Sequence, residues 1–152
     1  MNRLNLLQGV DIFKGLTPDE LNAISQLCED REYQVNQEIF TEGSRGTEIY
    51  VLKKGKVRIE LCLKGKTDTA TVHRITDGQI FGELALVDKG PRSATAKCES
   101  RSEVIAISRD RLSELFGENN HIGYVVLKNL ATVLAIRLRR ANLQLVASIL
   151  WE

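Results

Sequence analysis

Phe81-Gly82-Glu83-Leu84-Ala85-Leu86-Val87-Asp88-Lys89-Gly90-Pro91-Arg92-Ser93-Ala94-Thr95-Ala96 is the stretch on which the reading of this chain turns. Gly82 lets the backbone turn tightly, and Glu83 to Leu86 has the composition of a single helical turn. The first amides of such a turn have no partner inside it and point outward, forming a small nest for an anion. Arg92 follows a loop closed by Gly90 and Pro91, which returns its guanidinium toward those amides. A planar fork of donors matches phosphate oxygens, and the Ser93 hydroxyl adds one more bond. Glu83 would repel a phosphate unless a neutral donor, such as a ribose hydroxyl, stood between them; it can also pair with Arg92.

Working outward, the chain from Tyr33 to Ile107 is a series of short β-rich runs: EIF, EIYVL, KVRIELCL, ATVHRI, QIFG, SATAKC and EVIAIS. Glycines at 43, 46, 55, 65, 78, 82 and 90 punctuate them, and Lys53-Lys54-Gly55-Lys56 reads as a hairpin turn. Val57, Ile59, Leu61 and Leu63 alternate, as in a strand with one buried face. Many short strands joined by turns predict a closed or folded-over antiparallel sheet, a jelly roll or a barrel.

Helices flank this region. Leu4, Leu6 and Leu7 sit in a short piece, and Thr17-Pro18-Asp19-Glu20 opens a longer helix with an N-cap, a proline in the first turn and a capping box. Leu21, Ile24 and Leu27 share its apolar face. After the β region, Ser108 or Arg109 starts a short helix ending near Gly117, and a long one runs from about Asn120 to Leu150. In it Leu127, Ala131, Leu134, Leu138, Ala141, Leu145 and Ser148 recur as a heptad seam, widened by Val133, Ile136, Leu143 and Leu150. One apolar face against the domain and one left over predict a homodimer through this helix.

The 152 residues fit one domain, with helices over about 4–29, the β region over about 30–108 and the closing helices over about 109–150. A net charge of +1, from 21 basic and 20 acidic residues, argues against a general attraction to nucleic acid or anionic lipid, so any anion site is local. No stretch reads as long and apolar enough to span a bilayer, and the opening MNRLNLLQGV is too short and polar for a secretory signal. A cytoplasmic location is expected. Cys28, Cys62 and Cys98 lack metal-ligand spacing and read as buried or inert thiols. His73 and His121 are far apart and form no metal cluster, and there is no nucleophile with an adjacent base. Neither catalysis nor a metal or cofactor is expected. Arg137, Arg139, Arg140 and Lys128 read as a solvated helix face, and Trp151 as burying the helix end.

Phe-Gly-Glu-Leu-Ala-Leu together with Pro-Arg-Ser-Ala-Thr at this spacing resembles the phosphate-binding cassette of the cyclic nucleotide-binding domain. That module occurs in bacterial catabolite activator proteins, protein kinase A regulatory subunits and cyclic nucleotide-gated channels. The resemblance extends over the leading helices, Tyr50-Val51-Leu52 and Gly55, the cassette and the long helix. It implies a mainly β fold with flanking helices, a double-stranded β-helix (jelly roll) barrel. It further implies that Gly82 and Glu83 receive the ribose and that the amides of Leu84 and Ala85 lie near the cyclic phosphate. Arg92 would neutralise the exocyclic oxygens, and Ser93 would face the phosphate.

Serine at 93 resembles the catabolite activator and points to cAMP as ligand, with cGMP the alternative. The adenine contacts of relatives come from the long helix, so Arg140 or Asn142 reaching the base, or Trp151 capping it, are family-like alternatives. Gln37, Ser44 and Thr47 depart from the family pattern in turns expected to lie away from the phosphate. The expected function is a cyclic nucleotide receptor that transmits binding through its C-terminal helices to an unidentified downstream protein, with no direct nucleic-acid or membrane contact. The alternatives are the sensor part of a larger channel or transcription regulator and a scaffold that binds no nucleotide.

Overall fold

Residues 49–52 and 104–107 are unbroken apolar runs, the pattern of strands covered on both faces. They pair antiparallel in the middle of one sheet and are buried throughout. The structure, a computed structural model, describes residues 2–63 and 67–151, which leaves Gly65 outside it. The chain begins with α1 (Arg3–Gln8), a 3-10 turn (Asp11–Phe13) and α2 (Pro18–Ser25). Eight strands follow: β1 (Cys28–Tyr33), β2 (Glu38–Phe40), β3 (Glu48–Lys54), β4 (Val57–Cys62), β5 (Thr69–Ile75), β6 (Ile80–Phe81), β7 (Thr95–Cys98) and β8 (Ser102–Ser108). A 3-10 turn (Glu83–Leu86) follows β6, and α3 (Arg109–Glu118) and α4 (Asn120–Leu150) close the chain.

The strands form two four-stranded antiparallel sheets, ordered β1-β8-β3-β6 and β2-β7-β4-β5. No described ladder joins one sheet to the other, so the expected jelly-roll barrel is corrected to two open sheets in a mixed α/β fold. Helices cover more of the chain than strands do, against the expectation of a mainly β protein. The correction has a local cause at Gly55. Lys53-Lys54-Gly55-Lys56 does turn the chain, but β3 and β4 belong to different sheets, so the turn is a corner and not a hairpin.

Two cores result. Ile49 and Val51 of β3 and Ile105 and Ile107 of β8 face the helices, packing with Leu7, Ile12, Phe13 and Ile24 and with Ile122, Val126 and Leu130 of α4. Tyr50, Leu52, Val104 and Ala106 face the second sheet, meeting Val57, Ile75, Ala96 and Cys98. The first sheet is thus the middle layer of three.

Two strand readings change. β1 was not expected, because CEDREY carries four charges; it is an edge strand paired only with β8, where charges are tolerated and discourage further pairing. In β4 the alternation beginning at Val57 breaks at a bulge between Ile59 and Glu60, so Glu60 is buried while Leu61 and Leu63 are exposed. The Arg58 guanidinium pairs with the buried Glu60 carboxylate. Among the thiols, Cys98 is buried and Cys28 half-buried, its pKa pushed up to about 11 by burial, whereas Cys62 is exposed.

Thr17 caps α2 as the sequence predicts: its hydroxyl accepts the Glu20 N–H at 3.2 Å, and Glu20 Oε1 accepts the Thr17 N–H at 3.0 Å. Glu20 Oε2 lies 2.7 Å from His121 Nδ1, tying the start of α2 to the start of α4. The Thr17 N–H first, and His121 next, hold the Glu20 carboxyl below its ordinary pKa of 4.5. A carboxyl with a depressed folded pKa stabilises the fold above its ordinary value and ceases to do so as pH falls through the lower one. Glu20→Gln is therefore expected to lower Tm near neutral pH, with the gap to the parent protein shrinking on acidification below 4.5. Thermal denaturation across a pH series measures it.

Only the first part of α4 is anchored in the core: Ile122, Val126 and Leu130 are buried, with Leu134 packed at the edge. From residue 136 onward every described residue is exposed, including Leu138 and Leu145 of the heptad seam. By length and composition α4 could cross a membrane, contrary to expectation, since an 18-residue window reaches a mean hydropathy of 1.3.

Candidate functional site

A cavity of about 570 Å³ opens between the second sheet, the turn after β6 and α4. Its floor is aromatic, made by Phe40 of β2 and Phe81 of β6. Tyr50 of β3 stacks against both rings, and the three ring centroids are 5.3 to 6.2 Å apart. Arg92 lies on this floor, its Cζ 4.2 Å from the Phe40 ring centroid, close enough for a cation–π contact.

The neighbouring backbone sets the position of Arg92. Its N–H donates to Ser44 O at 2.7 Å and its carbonyl accepts the Gly43 N–H at 2.8 Å, so the loop between β2 and β3 grips it. Ser44, read from the sequence as lying in a turn away from the site, is in direct backbone contact with its central residue. Gly46 supplies clearance, because a Cβ there would overlap the guanidinium. Nη1 donates to Gly82 O at 3.1 Å and Nη2 to Glu48 O at 2.7 Å. Nε is buried with no hydrogen-bond partner among the described residues. Arg92 is only 9 % exposed, and burial lowers its pKa. A guanidinium has five donor hydrogens, and these two bonds use two of them. The result is a buried cation with donors to spare.

Gly82 has φ +71°, a left-handed conformation that glycine adopts without strain, and it opens the 3-10 turn Glu83–Leu86. Within that turn the Ala85 N–H donates back to Gly82 O at 3.3 Å. Ala85 is buried, and Leu84 is exposed at the rim. Ser93 lies on the cavity wall next to Arg92, also exposed. Glu83 is 4 % exposed, and its partner is not Arg92 but Arg137 of α4, whose guanidinium contacts its carboxylate. The six residues singled out from sequence, Gly82, Glu83, Leu84, Ala85, Arg92 and Ser93, all line this one cavity.

Of the opposite wall the sequence reading offered only Arg140, as a family-like alternative. Leu134, Arg137, Arg140, Ala141 and Gln144 of α4 line it, and His73 of β5 adds an imidazole. Burial, then the charge of Arg137, pulls the His73 pKa down. Arg137 and Arg140, taken as solvated, belong to this wall, whereas Asn142 does not line the cavity. The available signal was the recurrence of 134, 137, 141 and 144 on one face of a helix. Trp151 is 90 % exposed at the far end of α4, against the expectation that it buries the helix end. No group of three metal-ligating side chains occurs among the described residues.

Chemically, this is a pocket lined by a buried cation, a carboxylate and guanidinium pair, and apolar side chains. It suits an anionic ligand with a neutral polar centre and a flat apolar part.

Comparison with known proteins agrees. The family model for the cyclic nucleotide-binding domain matches residues 30–119. The chain is 33 % identical over 139 residues to the cyclic AMP receptor protein of Thermus thermophilus, covering 91 % of this chain and 62 % of that protein. It is 32 % identical over 120 residues to a cGMP-dependent protein kinase of Drosophila melanogaster, covering 78 % of this chain and 13 % of that one. The crystal structure of the Thermus thermophilus catabolite activator protein superposes with a TM-score of 0.78 at 33 % identity, over 89 % of this chain and 61 % of that one. The chain spans less than two thirds of the length of each of these relatives. The receptor and activator proteins among these relatives are named as regulators and not as enzymes. On the match across residues 30–119, with the fold to support it, the chain belongs to the cyclic nucleotide-binding domain family.

Proposed function

We propose that the chain is a cytoplasmic receptor module for a cyclic purine nucleotide, cAMP in preference to cGMP. The observation that carries this reading is Arg92, a buried guanidinium on the cavity lining with unused donors and an Nε without a partner among the described residues. A cyclic phosphate is a single negative charge with two exocyclic oxygens. It satisfies those donors without the desolvation cost of a second buried charge left unpaired. Gly82 and Glu83 would receive the ribose, its 2'-hydroxyl donating to the Glu83 carboxylate, and the purine would lie between the apolar walls. Leu84 and Ala85 would border the phosphate, and Ser93 would donate its hydroxyl to it. The preference for cAMP follows Ser93, by its likeness to the catabolite activator, and the 33 % identity with a cyclic AMP receptor.

The Glu83–Arg137 pair links the site to α4. A ribose hydroxyl on Glu83 would share that carboxylate with Arg137, so binding would bias the position of α4 to the extent that one position favours the nucleotide. The output would pass through α4 to a second copy of the chain and onward to a downstream protein. Exposed Leu138 and Leu145, with Ile149 one turn beyond Leu145, supply the apolar face of such a dimer. Leu138→Glu combined with Leu145→Glu is expected to convert a dimer to a monomer in sedimentation. A parent protein that sediments as a monomer would refute the dimer.

The deciding experiment is calorimetric titration of the nucleotide-stripped chain with cAMP and with cGMP. Saturable binding, tighter for cAMP, is expected. No heat and no thermal stabilisation with either nucleotide would replace the receptor reading with that of a scaffold.

A further inference from the structure

We infer that Arg31 of β1 is a positioning residue for the anion site: it holds the Glu48 carboxylate away from Arg92 and so keeps the Arg92 guanidinium open to a ligand. The inference rests on the nucleotide-binding reading above and deepens it, from the residue that would meet the phosphate to the one that keeps it available.

Neither Arg31 nor Glu48 lines the cavity. Glu48 nonetheless stands beside Arg92, since its carbonyl accepts Nη2 at 2.7 Å. Carbonyl and side chain branch from one Cα, so the Glu48 carboxylate starts only a few bond lengths from a buried guanidinium. It shares a face of β3 with Tyr50, whose ring centroid is 5.7 Å from Arg92 Cζ. Its charge acts on Arg92 from there. Arg92 has donors to spare, and its buried Nε has no partner among the described residues. A carboxylate this near such a cation is a natural partner for it, because each bond between them would be charge-assisted and little screened by water.

The two do not pair, because Glu48 is already held. Arg31 Nη1 donates to Oε1 at 2.8 Å and Nη2 to Oε2 at 2.6 Å, a forked contact that takes both oxygens and fixes the carboxylate plane. The Tyr50 hydroxyl donates to Oε1 at 3.3 Å. Arg31 Nη2 also donates to Glu29 at 3.2 Å, so Arg31 has two acids and only one of them stands beside Arg92. The Arg31 and Glu48 side chains are 30 % and 25 % exposed, so water screens their contact only in part. Without Arg31 the Glu48 carboxylate would keep a single bond, from Tyr50. It would turn onto Arg92 and compete with an anionic ligand for the same donors.

The test is calorimetric titration of the nucleotide-stripped full chain with cAMP and with cGMP, using the parent protein, Arg31→Gln, and Arg31→Gln combined with either Glu48→Gln or Glu29→Gln. Arg31→Gln is expected to weaken binding by about tenfold, the size of one charge-assisted hydrogen bond that the ligand must displace. Adding Glu48→Gln should restore most of that loss, because the competing charge is gone. Adding Glu29→Gln removes an equal charge from the other partner of Arg31 and should restore nothing. A pair that merely braced the fold would stay broken in both double variants, with no recovery in either. A general loss of positive charge would recover equally in both. Either of those patterns, or no loss in Arg31→Gln, would overturn the inference and leave the receptor reading standing. A parent protein that binds neither nucleotide would overturn the receptor reading and this inference with it. Arg31→Lys, which keeps the charge and loses the fork, is expected to show the same dependence on Glu48 at smaller amplitude, and it carries the test if melting curves show that Arg31→Gln does not fold.

Discussion

Arg92→Ala is expected to weaken cyclic nucleotide binding by on the order of a hundredfold or more while the chain stays folded. Removing one partner of a buried, hydrogen-bonded charge pair costs roughly 2–5 kcal/mol in binding, which covers that range. The protein itself loses less. No carboxylate among the described residues pairs with Arg92; its guanidinium donates to the Gly82 and Glu48 carbonyls, and its burial is itself unfavourable for the charge. A fold that kept such a cation only for stability would do better with an apolar residue over Phe40 and Tyr50. The measurement pairs a calorimetric titration with a melting curve. A large drop in Tm with unchanged affinity would make Arg92 a structural residue. Gly46→Ala supplies the independent check: its Cβ would overlap the guanidinium, the movable end of a long side chain, so Arg92 must swing away. That variant should lose binding much as Arg92→Ala does, although the arginine is still present.

Gly55→Ala is expected to be the most destabilising single substitution proposed here, at about 3 kcal/mol or more. Gly55 has φ +133°, a conformation open to glycine and strained for any residue with a side chain. The added Cβ would also come within 2.9 Å of the Ser102 Cα and 2.8 Å of its Cβ, and Ser102 is fully buried at the start of β8. Backbone cannot move aside as a guanidinium can. In a chain of this size the loss corresponds to a fall in Tm of roughly 10 °C, read by thermal or urea denaturation. A Tm within about 2 °C of the parent would show that the corner relaxes without cost, and the account of how β4 enters the second sheet would have to change.

These two glycines show where local reading stops. Gly55 was legible as a turn, since a glycine among lysines between two apolar runs has few other uses. Its consequence was not, because a hairpin and a corner have the same local sequence and differ only in which strands the next segment pairs with. The choice is made by β8, some fifty residues on, which takes the place beside β3 and leaves β4 to pair with β5 and β7. The absence of barrel closure has the same origin, since the ends of both sheets are defined by long-range pairing. β1 escaped notice for a related reason: its charges argue against a strand until it is known to lie at an edge.

The candidate site divides in a similar way. Gly82, Glu83 and Arg92 fall within eleven consecutive residues, and their chemistry is readable there because one turn and one short loop bring them together. Even so, the partner of Glu83 lay outside that window: the sequence allowed a pair with Arg92, and the contact is made by Arg137, 54 residues on. The capping box at Thr17 and the bounds of α4 were also recoverable, since caps and helical periodicity act over a few residues. What the sequence by itself determined was therefore the local chemistry: the anion-suited cassette, the helix starts and the positions of the turns. The tertiary structure alone decided the rest, namely which strands share a sheet, which arginine meets Glu83 and which face of α4 closes the cavity. Those outcomes depend on burying two separate cores at once, one between sheet and helices and one between the sheets. No window of local sequence contains both sides of either.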